Sequence, residues 1–237
     1  LPNSEKIKYL WSFNDNITDQ ISNLEGRPNN IKDINFDIAG VLYTDGLIDK
    51  AIYLSNQTSR IDIPPVELNQ ITVACLIYIE KLPPVDNENI LIAQHYTFSL
   101  GITGEGKVRF GVAMENPQYW EDIYSNEILI PNRWYLIVGT FDRNKLGVYI
   151  FAQYFDRKAS FIQKDTDGRL YYAYGQTLDY QGGINDYGFP GSIAECPDCN
   201  KAVFKGKIDE LVIYDYGMDI DKIIITLDPL IEPLKVK

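Results

Sequence analysis

The chain has 237 residues, of which 45% are apolar and 23% are charged, and its formal net charge is -11. This acidic balance argues against nucleic acid as a partner, because the chain cannot neutralise a row of phosphates. The apolar share argues against a disordered chain, and no apolar run reaches the roughly 18 residues that a membrane-spanning helix needs. The length fits one large all-β domain or two small ones, and it allows a sizeable core.

The first third of the chain predicts short strands separated by polar loops. Residues 6–13 alternate apolar and polar side chains and predict an opening strand, and residues 14–19 form an acidic loop rich in turn formers. Residues 50–55 and 60–63 predict a short hairpin-like pair. The nearly continuous β-branched run 71–79 predicts a strand that is buried on both faces.

The middle of the chain predicts a meander followed by a long hairpin. Apolar segments at 90–94, 96–102 and 108–113 are separated by glycines, which predicts three antiparallel strands. The hairpin joins residues 134–142 to residues 146–151 across a short polar turn. We expect these five strands to belong to antiparallel sheets.

The stretch 204–216 predicts the last core strand, because both sets of its alternating side chains are largely apolar. One set is Ile208, Glu210, Val212 and Tyr214, and the other is Asp209, Leu211 and Ile213. Asp209 is the exception in an otherwise apolar strand. A carboxylate at this place is exposed at the sheet end, paired, or bound to a metal.

The chain beyond this strand predicts one short helix and a tail. Residues 219–227 predict the helix, with Asp219 at its start. Residues 229–237 contain two prolines and predict an extended tail, which docks either on its own domain or as an added strand on a neighbouring subunit. The long connection 165–200 is the candidate functional insertion.

Two motifs resemble those of the laminin-G-like, concanavalin A-like β-sandwich superfamily. The first is the run 206–210 (Gly-Lys-Ile-Asp-Glu), and the second is the hairpin with Trp134, Phe141-Asp142 and Tyr149. The resemblance implies an all-β fold, an antiparallel two-sheet jelly-roll sandwich with one short C-terminal helix. The implied domain covers residues 1–228, and the extended C-terminal tail covers residues 229–237.

The resemblance also implies a structural Ca²⁺ ion. Domains of this superfamily often hold one on the outer face of the sandwich, between an early acidic loop and the Asp of the final strand. The implied ligands here are Asp209 and Asp15, with Asn14 or Asp19 as further candidates. Their oxygens are the hard ligands that the ion prefers, but ordinary turn chemistry and a surface acid explain the same residues.

Aromatic side chains in the loop-rich segments are candidates for ligand binding. They could form a platform for sugars or a protein interface. The candidates are Trp120, Tyr119, Tyr172, Tyr174 and Tyr187. Trp120 is the first candidate among them, whereas the alternation of Tyr172 and Tyr174 fits core packing equally well.

The three cysteines fall into two groups. Cys75 lies inside an apolar strand and is predicted to be a buried free thiol. The pair Cys196 and Cys199 is favoured as a local disulfide over a zinc site or free thiols, since a zinc ion needs further ligands. The sequons at Asn16 and Asn56 add weight to an extracellular location.

The sequence predicts that the protein is not an enzyme. Glycosidases of the superfamily carry Glu-x-Asp-x-x-Glu on one strand, and this chain has no such strand. Glu121, Asp122 and Glu195 are isolated acids in loop-like context. The single histidine, His95, does not suggest a Ser-His-Asp triad.

These observations predict a secreted or cell-surface β-sandwich that acts by contact. The leading hypothesis is recognition of a protein or glycan, or self-assembly into a homo-oligomer or filament through the tail 229–237. The alternative is a calcium-supported carbohydrate-binding lectin-like module. A glycoside hydrolase is a distant third.

Overall fold

The computed structural model describes residues 7–18, 20–21, 23, 27–29, 42–54, 60–115, 119–153, 162–164, 169–194 and 204–235. The first eight strands are β1 (Ile7–Trp11), β2 (Arg27–Asn29), β3 (Leu42–Asp45), β4 (Lys50–Leu54), β5 (Arg60–Ile63), β6 (Ile71–Lys81), β7 (Glu88–Gln94) and β8 (Phe98–Thr103). The next eight are β9 (Lys107–Met114), β10 (Tyr119–Ile128), β11 (Arg133–Phe141), β12 (Lys145–Ala152), β13 (Ile162–Lys164), β14 (Leu170–Asp179), β15 (Gly191–Ile193) and β16 (Lys205–Tyr214). Helices α1 (Ile220–Thr226) and α2 (Asp228–Ile231) follow, and then a 3-10 helix (Glu232–Leu234).

Within these ranges, nine strands form one antiparallel sheet and seven strands form the other. The nine-stranded sheet has the order β13-β14-β12-β11-β6-β16-β4-β3, and β1 also pairs with β16. The seven-stranded sheet has the order β10-β9-β8-β7-β15-β5-β2. The predicted two-sheet sandwich is confirmed, with the meander as β7-β8-β9 and the long hairpin as β11-β12.

The main core lies between the sheets, and strand β6 shows how it is built. Val73 and Cys75 point into the main core. Ala74 and Leu76 point the other way, into a second apolar cluster on the outer face of the nine-stranded sheet. Cys75 is a free and buried thiol, which confirms its prediction, and burial raises its pKa.

The C-terminal helices cover the outer face of the nine-stranded sheet. Asp219 caps α1 by accepting a hydrogen bond from the Lys222 amide at 2.9 Å, so the predicted helix start is confirmed. Ile223 of α1 and Ile231 of α2 are buried in the second apolar cluster. No helix in the described ranges has the length and apolar character to cross a membrane.

The tail was predicted to be extended, and this prediction is wrong for residues 229–234. Pro229 and Pro233 occupy the first turns of α2 and of the 3-10 helix, where the missing amide donor breaks no hydrogen bond. Leu230 and Leu234 are buried against their own sheet. These side chains are therefore not available as an added strand for a neighbouring subunit.

The predicted hairpin of residues 50–55 and 60–63 is also wrong. Strand β4 pairs with β16 and β3 in the nine-stranded sheet, whereas β5 pairs with β15 and β2 in the other sheet. Both strands are short, and alternation alone does not specify a strand's partner. The prediction that β4 and β5 pair, which was based on their closeness in sequence, is therefore wrong.

A β-bulge in β16 changes the faces predicted for the last core strand. The register skips one residue between Asp209 and Leu211, and Glu210 has a φ of 39°. One extra residue reverses the face of every side chain after it. As a result Leu211 shares the main core with Ile208, whereas Val212 joins the helix-covered cluster.

Candidate functional site

The outer face of the seven-stranded sheet carries a groove of about 350 Å³. Residues of strands β7 to β10 line the groove, together with His95 and Tyr96 from the turn after β7. Its polar lining residues are Glu88, Gln94, Ser99, Arg109 and Asp122, and its aromatic ones are His95, Tyr96, Phe98, Trp120 and Tyr124. The groove thus combines charged groups with aromatic rings.

Two glycines make room for the charged groups on this face. A Cβ on Gly101 of β8 would lie 2.6 Å from Oε1 of Glu88. A Cβ on Gly111 of β9 would collide with the Asp122 carboxylate and would lie 2.5 Å from the indole nitrogen of Trp120. Both positions therefore exclude any larger residue while the groove keeps this arrangement.

Arg109 lies at the centre of the groove and binds two carboxylates. Its Nε donates to Oε1 of Glu88 at 2.5 Å, and its Nη1 donates to Oδ1 of Asp122. Its Nη2 donates to Oγ of Ser99 at 2.6 Å. Burial lowers the pKa of Arg109, but the Glu88 and Asp122 carboxylates outweigh burial and leave it raised. The cation is fixed, and each of its nitrogens has an oxygen partner.

Trp120 is held in place by the same network. Its Nε1 donates to Oδ1 of Asp122 at 2.7 Å, and the Arg109 guanidinium lies 5.9 Å from the centroid of its ring. The side chain remains 37% exposed, so the ring is oriented without being covered. The sequence placed Trp120 and Asp122 in loop-like context. That prediction is wrong, since both lie on strand β10, at the edge of the sheet.

Four aromatic side chains, His95, Tyr96, Tyr187 and Phe189, form what we call the aromatic patch. Tyr96 contacts Phe189 at a centroid distance of 5.9 Å and Tyr187 at 6.1 Å. His95 contacts Phe189 edge-on at 5.5 Å. His95 and Tyr96 also line the groove, so the patch adjoins it.

The structure separates the predicted aromatic candidates. Trp120 lies in the groove and Tyr187 in the aromatic patch. Tyr119 contacts Tyr180 at 6.0 Å and does not line the groove. Tyr174 is buried in the main core, where its hydroxyl accepts from the Asn126 amide and donates to Gln176. The side chain of Tyr172 lies outside the described residues.

Sequence reasoning missed the charged residues of the groove. Glu88, Ser99 and Arg109 were not candidates, although Arg109 stands at an outward position between the apolar residues Val108 and Phe110. That outward charge, between two buried neighbours, was the available signal. Its carboxylate partners come from other strands, 21 and 13 residues away, and only strand pairing shows them together.

The predicted calcium ligands meet at a different place, the turn between β3 and β4. Oδ2 of Asp209 accepts from the amides of Leu47 and Ile48, both at 2.8 Å. Oδ1 of Asn14 accepts from the Lys50 amide at 3.0 Å. Both side chains therefore hold the same turn by hydrogen bonds. Asp15 is exposed, and Asp19 lies outside the described residues.

The carboxyl group of Asp209 is buried. Burial raises this pKa to about 7, although the amides of Ile48 and Leu47 act to lower it. Burial, with the charges of Asp209 and Asp49, also raises the pKa of Glu210 to about 7. Oδ1 of Asp209 has no hydrogen-bond partner among the described residues, which is compatible with a bound cation.

No group of three or more His, Cys, Asp or Glu side chains in the described ranges is placed to hold a metal. Oδ2 of Asp209 and Oδ1 of Asn14 already accept from backbone amides. Calcium binding by Asp209, Asn14 and Asp15 therefore stays a prediction. Cys196 and Cys199 lie outside the described residues, so their disulfide stays a prediction as well.

The sequence matches a protein-family model. The model described as the concanavalin A-like lectin/glucanases superfamily matches residues 55–223, which is more than half of the chain. No curated protein sequence matches the chain.

Solved structures share the fold at low sequence identity. Domain 4 of AbnA, a GH43 extracellular arabinanase from Geobacillus stearothermophilus, in complex with arabinotriose, is 19% identical with a TM-score of 0.60, over 97% of this chain and 98% of that one. The binding domain of botulinum neurotoxin DC in complex with SialylT is 15% identical with a TM-score of 0.60, over 96% of this chain and 52% of that one. The same toxin's binding domain in complex with rat synaptotagmin II is 15% identical with a TM-score of 0.62, over 95% and 52%. This chain spans about half the length of these toxin domains, and such identities show the fold alone.

Proposed function

The chain belongs to the concanavalin A-like lectin/glucanases superfamily, and we propose that it is a non-catalytic module that binds a neutral glycan in the groove of the seven-stranded sheet. The observation that carries this proposal is the setting of Trp120. Its ring is oriented by Asp122 and Arg109 but keeps 37% of its surface open.

A sugar has an apolar C–H face and a rim of hydroxyl groups, and the groove offers partners for both. Trp120 and Tyr124 provide aromatic surface on the edge strand β10, on which a sugar face can pack. Glu88, Asp122 and Ser99 provide oxygens close to that surface. An apolar lining with a few fixed polar groups is the usual composition of a small-ligand site.

The charges of the groove favour a neutral ligand. Arg109 is neutralised by Glu88 and Asp122 together, so the lining carries more negative than positive charge. The whole chain has a net charge of -11. An anionic sugar would meet a repulsive field and no free cation among the described lining residues.

The same arrangement argues against glycoside hydrolysis. In a glycosidase the two carboxyl groups flank the scissile bond, one as acid and the other as base or nucleophile. Here the guanidinium of Arg109 stands between Glu88 and Asp122. The space that a scissile bond needs is therefore filled by a side chain.

The comparisons support a binding role outside the cell. One neighbour is a domain of an extracellular arabinanase in complex with arabinotriose, and others are toxin binding domains in complex with SialylT or synaptotagmin. A glycan ligand is favoured over a protein partner, because the groove is a concave site with fixed polar groups.

Glycan-array binding of the purified chain tests the proposal, with Trp120→Ala as the variant and Tyr119→Ala as its matched control. Tyr119 is the neighbouring aromatic on β10 with similar exposure, but it lies outside the groove. We expect signals on neutral glycans that Trp120→Ala reduces by about tenfold or more, because the ring supplies the apolar contact with the sugar. Tyr119→Ala should keep them. No signal, or signals that survive Trp120→Ala, would overturn the proposal.

A further inference from the structure

Three side chains of the aromatic patch beside the groove are exposed to solvent. Tyr96 is 58% exposed, Tyr187 is 50% exposed and Phe189 is 42% exposed. Large apolar side chains that are clustered and open to water mark an interaction site more often than chance. In the glycan site proposed above, Tyr96 is only a lining residue of the groove, and Tyr187 and Phe189 have no role.

The segment that carries Tyr187 and Phe189 is fixed to the groove by hydrogen bonds. Oδ1 of Asp186 accepts from Nε2 of Gln94 at 3.0 Å and from the Gly188 amide at 2.8 Å. Gln94 is itself buried, and its Oε1 accepts from the Val66 amide at 2.7 Å. The two rings are therefore held in place before a ligand arrives, which lowers the entropy cost of binding.

The aromatic patch and the groove share residues and therefore form one continuous surface. Gln94, His95 and Tyr96 line the groove. His95 and Tyr96 are at the same time in ring contact with Phe189, at 5.5 and 5.9 Å. A ligand that leaves the groove past Tyr96 meets the rings of the patch directly.

We propose that the aromatic patch is a second subsite for the same neutral glycan, so that the ligand is an oligosaccharide chain that spans the groove and the patch. This inference rests on the proposed function. It adds that the module recognises several linked sugars, and that Tyr187 and Phe189 set the preferred ligand length.

The size and chemistry of the patch fit sugar residues. The centroids of its contacting rings are 3.8 to 6.3 Å apart, so the whole patch is only a few rings across. A stable protein interface needs roughly 800 Å² on each partner, which is more than such a patch provides. Nδ2 of Asn185 donates to the Tyr187 hydroxyl at 2.9 Å, so neutral polar groups for sugar hydroxyls border the rings.

Two linked subsites predict a dependence on ligand length. The second contact is intramolecular once the first sugar is bound, so a longer chain gains affinity without any change in the groove. Short ligands should depend on Trp120 alone. Ligands that reach the patch should depend on Trp120 and on the patch together.

Isothermal titration calorimetry tests this dependence. The probes are chains of one to six sugars prepared from the neutral glycan with the strongest array signal. The proteins are the wild type, the double variant Tyr187→Ala with Phe189→Ala, Trp120→Ala, and Leu178→Ala as an exposed apolar control on the other sheet. Equal thermal midpoints establish that each variant is folded.

We expect the wild type to bind the longer chains about tenfold more tightly than the shortest, and the double variant to lose only this gain. Trp120→Ala should weaken every length, and Leu178→Ala none. If the double variant binds all lengths as the wild type does, the second subsite is wrong while the groove proposal stands. If it loses the shortest ligand too, the patch is the primary site and the inference is overturned.

Discussion

The two sheets have similar inner faces but very different outer faces. On the nine-stranded sheet, apolar side chains such as Ala74, Leu76 and Val138 point outward, and α1, α2 and the 3-10 helix bury them. On the seven-stranded sheet the outward side chains around Arg109 are polar or aromatic and line a groove, in which Trp120 and Tyr124 are exposed to solvent. One face is used for stability, and the other is available for binding.

The two outer faces also differ in the partners of their buried ionisable groups. The covered face buries Asp209 with two backbone amides as its partners for Oδ2. The open face buries Glu88 and Arg109 as an ion pair, with Asp122 on the second side of the guanidinium. Burying a charge without an opposite charge is costly, so the two faces should respond differently to substitution and to pH.

The largest effect is expected from Arg109→Met. This change leaves two carboxylates facing each other without a cation, and breaking such a buried pair costs about 3 to 5 kcal/mol. We expect urea denaturation to show a loss of that order in the free energy of unfolding.

The triple variant Glu88→Gln, Arg109→Met, Asp122→Asn is the control, because it removes all three charges together. We expect it to regain most of the stability that Arg109→Met loses. If the single and the triple variant are equally unstable, the packing of the arginine stem matters more than its charge, and the comparison of the two faces fails on this side.

On the covered face, Ile231→Ala should cost about 2 to 4 kcal/mol. Ile231 is fully buried under the helices, and its removal leaves a cavity over the nine-stranded sheet. Ile225→Ala is the matched control, since Ile225 is on α1 but 70% exposed, and it should change stability by less than about 0.5 kcal/mol. Equal effects would mean that the helices do not cover this face in solution.

A smaller effect is expected from Asp209→Asn, and it should depend on pH. The pKa of Asp209 is about 7 in the folded chain and near 4 in the unfolded chain. Between these values the unfolded chain has lost a proton that the folded chain keeps at Asp209, so the contribution of Asp209 to stability falls as the pH rises to about 7. The amide keeps the acceptor for Leu47 and Ile48 but does not ionise. We therefore expect the thermal midpoint of the variant, measured relative to that of the wild type, to rise between about pH 4 and about pH 7. Above about pH 7 this difference should stay constant at its highest value.

A constant difference between the two midpoints from acid to alkaline pH would contradict a raised pKa. The same two proteins test the calcium prediction at alkaline pH, where Asp209 is ionised. If Asp209 binds the ion, CaCl₂ raises the wild-type midpoint relative to a chelator and leaves Asp209→Asn unchanged. Equal midpoints with CaCl₂ and chelator would remove Asp209 from the list of calcium ligands.

Some features of this protein followed from local pattern. The β-branched run of β6 predicted a strand buried on both faces, and Asp219 predicted the start of α1. These features depend on residues that are neighbours along the chain, where side-chain alternation and capping act directly.

Other features depended on contacts between distant segments. The prolines of residues 229–234 allow a helical turn as readily as an extended tail, and burial of Leu230 and Leu234 against the sheet decided for the helix. The bulge at Glu210 reversed the faces of β16 although the local alternation was regular. In both cases tertiary packing outweighed a local preference.

The sequence by itself determined the class of the fold, two antiparallel sheets with apolar inner faces, because burial of alternating side chains is a local property of each strand. Only the tertiary structure decided which outer face is open. The three charges of the groove stand on β7, β9 and β10 and meet through strand order alone. Strand order is set by the packing of the whole sandwich, and no short stretch of sequence contains it.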